Sequence, residues 1–341
     1  MTTILVTGLG GSIAIDVCRS LRRDRSLRLI GCDANPWGLR QAGHLVDEAI
    51  AVPRGDRDAV GFHAALAEII DRQGVDFTFV NPDPELEALA ALGRPLPGFT
   101  AMPPLPTVGI SLDKARTVAA CAAACADAFP ATVALAGEAD VDRAFAELGA
   151  PLWMRSAVGA GGRGSLVVGA ADEALAWMRY WDRRGKGYQW VLQELLPGAN
   201  VNWTGIYAAG RLVASAAMER LRYFLGNVTA SGVSGQVSEC ATVDPEGYRE
   251  VSARVVRALD AEPHGIYSVD LRHDREGRAR VTEVNPRLAG RPWLYANSGA
   301  NLALAAVRAL LDQPLGDAIA DGGLRPGVHL YRQLDIDPVI A

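Results

Sequence analysis

The stretch GIYSVDLRHDREGRARVTEVNPRLAG, residues 265–290, reads as two strands folded about a turn at Glu276-Gly277. With that dipeptide at the tip of a hairpin, Asp270 falls opposite Glu283. Side chains alternate along a strand, so Asn285 shares the face of Glu283, while Val269, Leu271 and Val284 point to the other face and can be buried there. Directly opposed carboxylates have Cβ atoms about 4.5–5.5 Å apart and repel unless something positive lies between them. Two carboxylates and an amide oxygen on one face form a hard-oxygen set of the kind that suits Mg²⁺ on nucleotide phosphates, which makes Asp270, Glu283 and Asn285 candidate metal ligands. Arg287, two residues further on, offers a planar fork of donors to a phosphoryl group. The competing reading of the hairpin alone is a solvated face on which like charges meet.

Upstream, Arg155 ends the strand-like PLWMR, and Gly159-Ala160-Gly161-Gly162-Arg163-Gly164 precedes another strand. Such a loop lets backbone N–H groups wrap phosphate oxygens with no Cβ in the way. It joins two strands and lacks a GK[ST] ending and a following helix, so it is not a Walker loop. Lysine is scarce: of 34 basic residues only Lys114 and Lys186 are lysines. With Ser111 as N-cap, Lys114 falls in the first turn of a helix, where the macrodipole disfavours a cation and a bound anion would remove the penalty.

Further out, strand and helix alternate through Thr3–Thr7 (strand), Ile13–Arg23 (helix), Leu27–Cys32 (strand), Ala64–Gln73 (helix) and Phe77–Val80 (strand). This is the pattern of an open, doubly wound parallel sheet. The Pro- and Gly-dense GRPLPGFTAMPPLP, Gly93–Pro106, marks a boundary. A small α+β unit follows, with a helix from Ser111, a strand near Thr132–Leu135, a helix from Val141 to Gly149, and strands Leu152–Ser156 and Ser165–Val168. From about Trp190 the sequence opens with VLQELL. It continues as Trp203–Tyr207 and Arg211–Glu219 about the turn Ala208-Ala209-Gly210, an antiparallel sheet with helices. The expected units are 1–110, 111–186 and 187–341.

The 341 residues carry a formal net charge of −5, with 49% apolar and 21% charged residues, which describes a globular protein with no positive field for nucleic acid or an anionic membrane. The alanine-rich Thr117–Gly137 is broken by Asp127 and Pro130 and cannot span a bilayer, and the first residues lack a signal-peptide pattern, so the expectation is a cytoplasmic protein acting on small molecules. Five cysteines without a Cys-x-x-Cys pair indicate neither a disulfide framework nor a zinc site. Nothing in the sequence speaks against a homodimer.

Taken in order, SLDKARTV at Ser111, PLWMRSAVGAGGRGSLVV at Pro151, QELLPG at Gln193 and the Asp … Glu-x-Asn-Pro-Arg segment resemble the ATP-grasp superfamily. The likeness is to its carbamoyl-phosphate-synthase-like and carboxylate–amine ligase members. The resemblance implies a pre-ATP-grasp domain followed by a two-part ATP-grasp domain. It further implies ATP with Mg²⁺, Mn²⁺ being the alternative ion, and an acid activated as an acyl phosphate and passed to an amine. By it Lys114 and Arg155 would contact ATP phosphates, and Gly161, Gly162 and Gly164 would close over them. Glu194, Leu195 and Leu196 would hold the adenine, Asp270, Glu283 and Asn285 the metal, and Arg287 the transferring phosphoryl group. Arg222, just before the glycine-rich Ser231–Gly235, is the candidate for the substrate carboxylate. The chain departs from the family at Asn200, where many members use Glu for the ribose, and at Arg155, where many have Lys. Two other readings stand beside this one: a non-catalytic nucleotide-binding or regulatory protein, and an NAD(P)-dependent oxidoreductase using Gly8-Leu9-Gly10-Gly11-Ser12 and Asp33.

Overall fold

The computed structural model describes residues 1–159, 161, 162, 164–333, 339 and 340. Ala160 and Arg163 of the expected phosphate loop lie outside the described residues. Three sheets organise the chain. The first is parallel, built from β1 (Thr3–Thr7), β2 (Arg28–Asp33), β3 (Glu48–Ala51), β4 (Phe77–Phe79) and β5 (Phe99–Thr100) in the order β3-β2-β1-β4-β5. Its helices are α1 (Ser12–Leu21), α2 (Pro36–Ala42), α3 (Ala59–Gln73) and α4 (Asp83–Leu92). The expected doubly wound topology is present, with separate cores about Ile4 and Val6 on one face and Leu5 and Ile30 on the other. The Pro/Gly-dense stretch read as a border supplies the edge strand β5 and the start of α5 (Leu105–Ser111).

The second sheet has the order β6-β9-β7-β8, from β6 (Thr132–Leu135), β7 (Leu152–Ser156), β8 (Leu166–Val168) and β9 (Trp190–Glu194). Two helices, α7 (Ala139–Leu148) and α8 (Ala171–Arg183), pack on it around Val141, Met154, Ala174 and Trp190. Two boundaries expected from sequence change here. β9, which the sequence places in the C-terminal unit, lies between β6 and β7, because an apolar strand shows its sheet only through its partners. Helix α6 (Lys114–Cys125), expected in the small unit, buries Cys121 and Cys125 in the core of the C-terminal sheet. Its cap also differs: Ser111 ends α5, and Asp113 accepts from the Ala115 and Arg116 N–H groups, leaving Lys114 as the first residue of the helix.

The third sheet is antiparallel, in the order β14-β13-β10-β11-β12-β15-β16. Its strands are β10 (Asn200–Ala208), β11 (Arg211–Tyr223), β12 (Val237–Val243), β13 (Gly265–His273), β14 (Ala279–Asn285), β15 (His329–Tyr331) and β16 (Val339–Ile340). Helix α9 (Glu246–Leu259) covers one face. α10 (Pro292–Asn297) and α11 (Leu302–Leu310) join the other face to α1 of the first unit in one continuous core. The five cysteines are free and buried. Among the described residues no helix is long and apolar enough to cross a membrane.

Candidate functional site

The β13–β14 hairpin places Asp270 opposite Glu283 and Ser268 opposite Asn285. Behind it, Val269, Leu271, Val281 and Val284 fill the core under α9. The pairing comes about differently from the sequence expectation. Asp274 N–H donates to the Arg278 carbonyl at 2.9 Å, so 275–277 form a three-residue loop in place of a two-residue turn at 276–277, and the register beyond it is shifted by one residue. A β-bulge at Thr282 then adds the missing residue, because Leu271 pairs with Val281 while Asp270 pairs with Glu283.

The two carboxylates have separate cationic partners. Arg220 on β11 reaches Asp270 at 2.7 Å, and Asn202 on β10 donates to the same oxygen at 2.7 Å. Asn202 is held in turn by the Tyr295 hydroxyl at 3.1 Å, and Thr204 meets Ser268 at 2.8 Å, a buried and connected polar layer beneath the site. Glu283 lies 3.3 Å from Lys114 Nζ and 3.8 Å from Arg155 NH1. Burial works against its charge, but Lys114 and Arg155 outweigh it and hold the carboxyl well below its usual range. For Asp270 burial wins over the Arg220 charge and moves the carboxyl upward. A divalent cation between the two carboxylates would relieve the burial and the mutual repulsion that oppose charge on this face. Among the described residues no group of three or more His, Cys, Asp or Glu gathers, so the oxygen set is two carboxylates and the Asn285 amide. That set suits Mg²⁺, which keeps several waters and takes phosphate oxygens for its other positions.

Arg155 is buried, and burial lowers its pKa from the ordinary arginine value before the charges of Glu283 and Asp270 offset part of the effect. Its NH2 donates to the Thr282 carbonyl, so the bulge residue ties the small unit to the C-terminal sheet. Lys114 Nζ donates to the Gly159 carbonyl at 2.8 Å, anchoring the start of the glycine loop. Arg287 is buried and donates to Asp83 of α4 at 2.6 Å; burial alone would lower its pKa, and Asp83 raises it instead.

These groups line one cavity of about 530 Å³. Lys114, Arg155, Gly161, Gly162, Glu194, Leu195, Leu196, Asp270, Glu283, Asn285 and Arg287 all contribute to its wall. Gly164 instead packs behind the loop against Tyr188 and Trp190, and its carbonyl accepts from the Trp177 indole at 2.7 Å. The loop rests on the 231–235 segment so tightly that a Cβ on Gly235 would come within 2.8 Å of the Gly161 Cα. The Glu194 N–H donates to the Ala131 carbonyl at 2.9 Å, which fixes the end of β9 against the start of β6. Asn200 donates to the Tyr223 hydroxyl and accepts from Arg220, both at 2.8 Å.

Arg222 is a correction. Its side chain is 79% exposed, pairs with Glu239 at 3.0 Å and is not part of the cavity wall. An irregularity in the β11–β12 pairing between Arg220 and Arg222 breaks the alternation that would have given both arginines one face. Of these two arginines, Arg220 is the one that lines the cavity. Sequence reasoning also missed Asp83, whose signal is long-range and lies in no local motif. The oxidoreductase reading loses its support: Asp33 accepts from the Gly10 and Asn35 N–H groups, and a Cβ on Gly10 would be 2.4 Å from the Gly38 Cα. The loop glycines serve internal packing, and the acidic residue is spent on its own loop.

A doubly wound sheet followed by two antiparallel sheets, with a glycine loop and an Asp–Glu–Asn face about one cleft, is the ATP-grasp architecture, and this chain has that fold. No family model matches the sequence, and none of the curated proteins does. Among solved structures, the chain is similar to N5-carboxyaminoimidazole synthetase from Staphylococcus aureus complexed with ADP (TM-score 0.71, 14% identity, 98% of this chain and 82% of that one). It is also similar to the L-amino acid ligase from Bacillus licheniformis (TM-score 0.67, 15% identity, 97% and 79%). A third likeness is to the biotin carboxylase domain of the Hydrogenobacter thermophilus 2-oxoglutarate carboxylase with MgADP and bicarbonate (TM-score 0.70, 13% identity, 96% and 73%).

Proposed function

We propose that this protein is an ATP-dependent ligase that activates the carboxylate of a small molecule as an acyl phosphate and joins it to an amine. The observation that carries the reading is the convergence of Lys114, Arg155, Asp270, Glu283, Asn285 and Arg287, drawn from all parts of the ATP-grasp region, on one cavity beneath a glycine loop. That the S. aureus and H. thermophilus proteins hold ADP, the latter with magnesium, supports nucleotide binding in the corresponding cleft.

Lys114 and Arg155 bind the polyphosphate, and the 159–164 loop with the 231–235 segment shields it from water. Glu194 to Leu196 line the adenine end. Asp270, Glu283 and Asn285 would hold Mg²⁺, which when bound supplies charge neutralisation at the transferring phosphoryl group. Arg287, oriented by Asp83, places its guanidinium where the acid meets the γ-phosphate and offsets charge developing there. The amine then attacks the acyl carbon and inorganic phosphate leaves.

The test is ADP and phosphate release from MgATP with pools of small acids and amines, comparing wild type with Glu283→Gln. Hydroxylamine replaces the amine in a parallel series to trap acyl phosphate as a hydroxamate. Acid-dependent hydroxamate that vanishes in the variant establishes the reading. MgATP binding with no acid-dependent turnover in any pool would instead favour the regulatory alternative.

A further inference from the structure

Among the cavity-wall residues that the phosphoryl-transfer chemistry does not use are Ser12 and Ile13, the first two residues of α1, and Arg291. Helix α1 is ten residues long, its N-cap is Gly11, no side chain caps its first turn, and that turn holds no acidic residue. The N-terminus of such a helix carries about half a unit of positive charge and N–H groups in need of an acceptor. Arg291 is 4% exposed and donates through NH2 to Asp16 at 2.7 Å, one turn further along the same helix. Asp16 thereby fixes the guanidinium alongside the first turn of α1. The Nε of Arg291 has no acceptor among the described residues, a costly state for a buried charged donor. A second guanidinium also draws on Asp16: burial, and then the like charge of Arg291, hold the Arg332 pKa down to about 10.

We propose that the α1 N-terminus and Arg291 form a binding site for an anionic group, a carboxylate or a phosphate, carried by a substrate in addition to the group that reacts. Backbone N–H groups and a planar guanidinium together are the donors that recognise such oxyanions. Ile13, Met218 and Val237 line the same cavity, so the body that carries the anion meets apolar side chains beside the polar ones. A small amino acid, or a small amine or acid bearing a phosphate, has this chemistry. The inference rests on the ligase reading only for naming the bound molecule a substrate.

The test is calorimetric titration of the whole protein with acetate and with inorganic phosphate, each with and without saturating Mg²⁺ and a non-hydrolysable ATP analogue. With the nucleotide site filled, wild type is expected to bind one of the two saturably at one equivalent. Phosphate as the tighter probe indicates a phosphorylated substrate, and acetate a carboxylate. Arg291→Met is expected to weaken that binding at least tenfold and leave nucleotide affinity within twofold. Since Arg291→Met leaves Asp16 buried and unpaired, Ser12→Asp is the second variant: it keeps the Asp16–Arg291 pair, places a stabilising charge at the helix N-terminus, and repels the anion by the same tenfold or more. No saturable binding of either probe, or affinity unchanged in Ser12→Asp, overturns the site. The nucleotide titration is read separately: absence of nucleotide binding counts against the ligase reading, while the change in anion affinity between wild type and Ser12→Asp decides this one.

Discussion

Asp83, the first residue of α4, and Arg287, just beyond β14, are joined by a 2.6 Å hydrogen bond across 204 residues of chain. Both side chains are nearly enclosed, at 11% and 13% exposure, so the pair is screened far less than a surface ion pair. The parallel-sheet unit therefore does more than support the cleft: one of its side chains orients the arginine expected at the transferring phosphoryl group.

Asp83→Asn keeps the shape but removes the charge that holds Arg287. The expected result is a fall in kcat of about 10- to 100-fold with the KM for ATP within about twofold, read by steady-state ADP release. A rise in KM with kcat unchanged would mean that the pair serves ground-state binding instead.

Glu283→Gln and Asp270→Asn each remove a carboxylate from the facing pair. Turnover should fall by on the order of a thousandfold in either variant. In calorimetry, the gain in nucleotide affinity that Mg²⁺ brings to wild type should be largely lost.

The two arginines of β11 should behave oppositely. Arg220→Met leaves Asp270 and Asn200 without their shared partner and should abolish turnover. Arg222→Ala, at a largely exposed pair with Glu239, should keep activity within about twofold and stability within about 0.5 kcal/mol, measured by denaturant unfolding.

Gly235→Ala places a methyl group against the Gly161 backbone at 2.8 Å, and backbone has little room to yield. The glycine loop should fail to seat, lowering kcat/KM about tenfold while the melting temperature stays within about 2 °C, since both segments lie at the cleft surface. Differential scanning fluorimetry and ADP release on the same preparation separate the two effects.

Glu85 gives a pH prediction away from the cleft. Burial raises its carboxyl from 4.5 to about 8, with a smaller contribution from the Asp33 charge, against a lowering hydrogen bond to Thr7. The folded protein binds this proton more tightly than the unfolded chain. Its contribution to stability is thus full below about pH 4.5 and is lost as pH rises towards about 8. Wild type should lose stability over this interval with a slope of up to about 1.4 kcal/mol per pH unit from this group. Glu85→Gln should lack that component and be the more stable protein at pH 8, as read from urea midpoints.

Much of the fold was legible because local patterns agreed with the tertiary structure. Thr3–Thr7, Thr132–Leu135 and Leu152–Ser156 are strands with the expected bounds, and the parallel sheet precedes the antiparallel ones as expected. The Asp270–Glu283 pairing was also legible, although loop and bulge each depart from the ideal by one residue and cancel. What escaped depended on partners distant in sequence. VLQELL looks the same in either sheet, and only its pairing with Thr132–Leu135 and Leu152–Ser156 assigns it. Ser111 and Asp113 are both good caps, and α5 had already claimed the serine. Arg220 and Arg222 share a parity that an irregular register overrides.

The bulge at Thr282 can be separated from the facing carboxylate pair it adjoins. With Thr282 deleted, the register set by Leu271 and Val281 would run on unbroken and still bring Asp270 opposite Glu283, so the pairing survives. What disappears is the carbonyl that Arg155 grips from the neighbouring unit. The extra residue thus leaves the carboxylate pairing as it would be in a regular hairpin and gives that hairpin a handle by which the small unit is fastened to the C-terminal sheet.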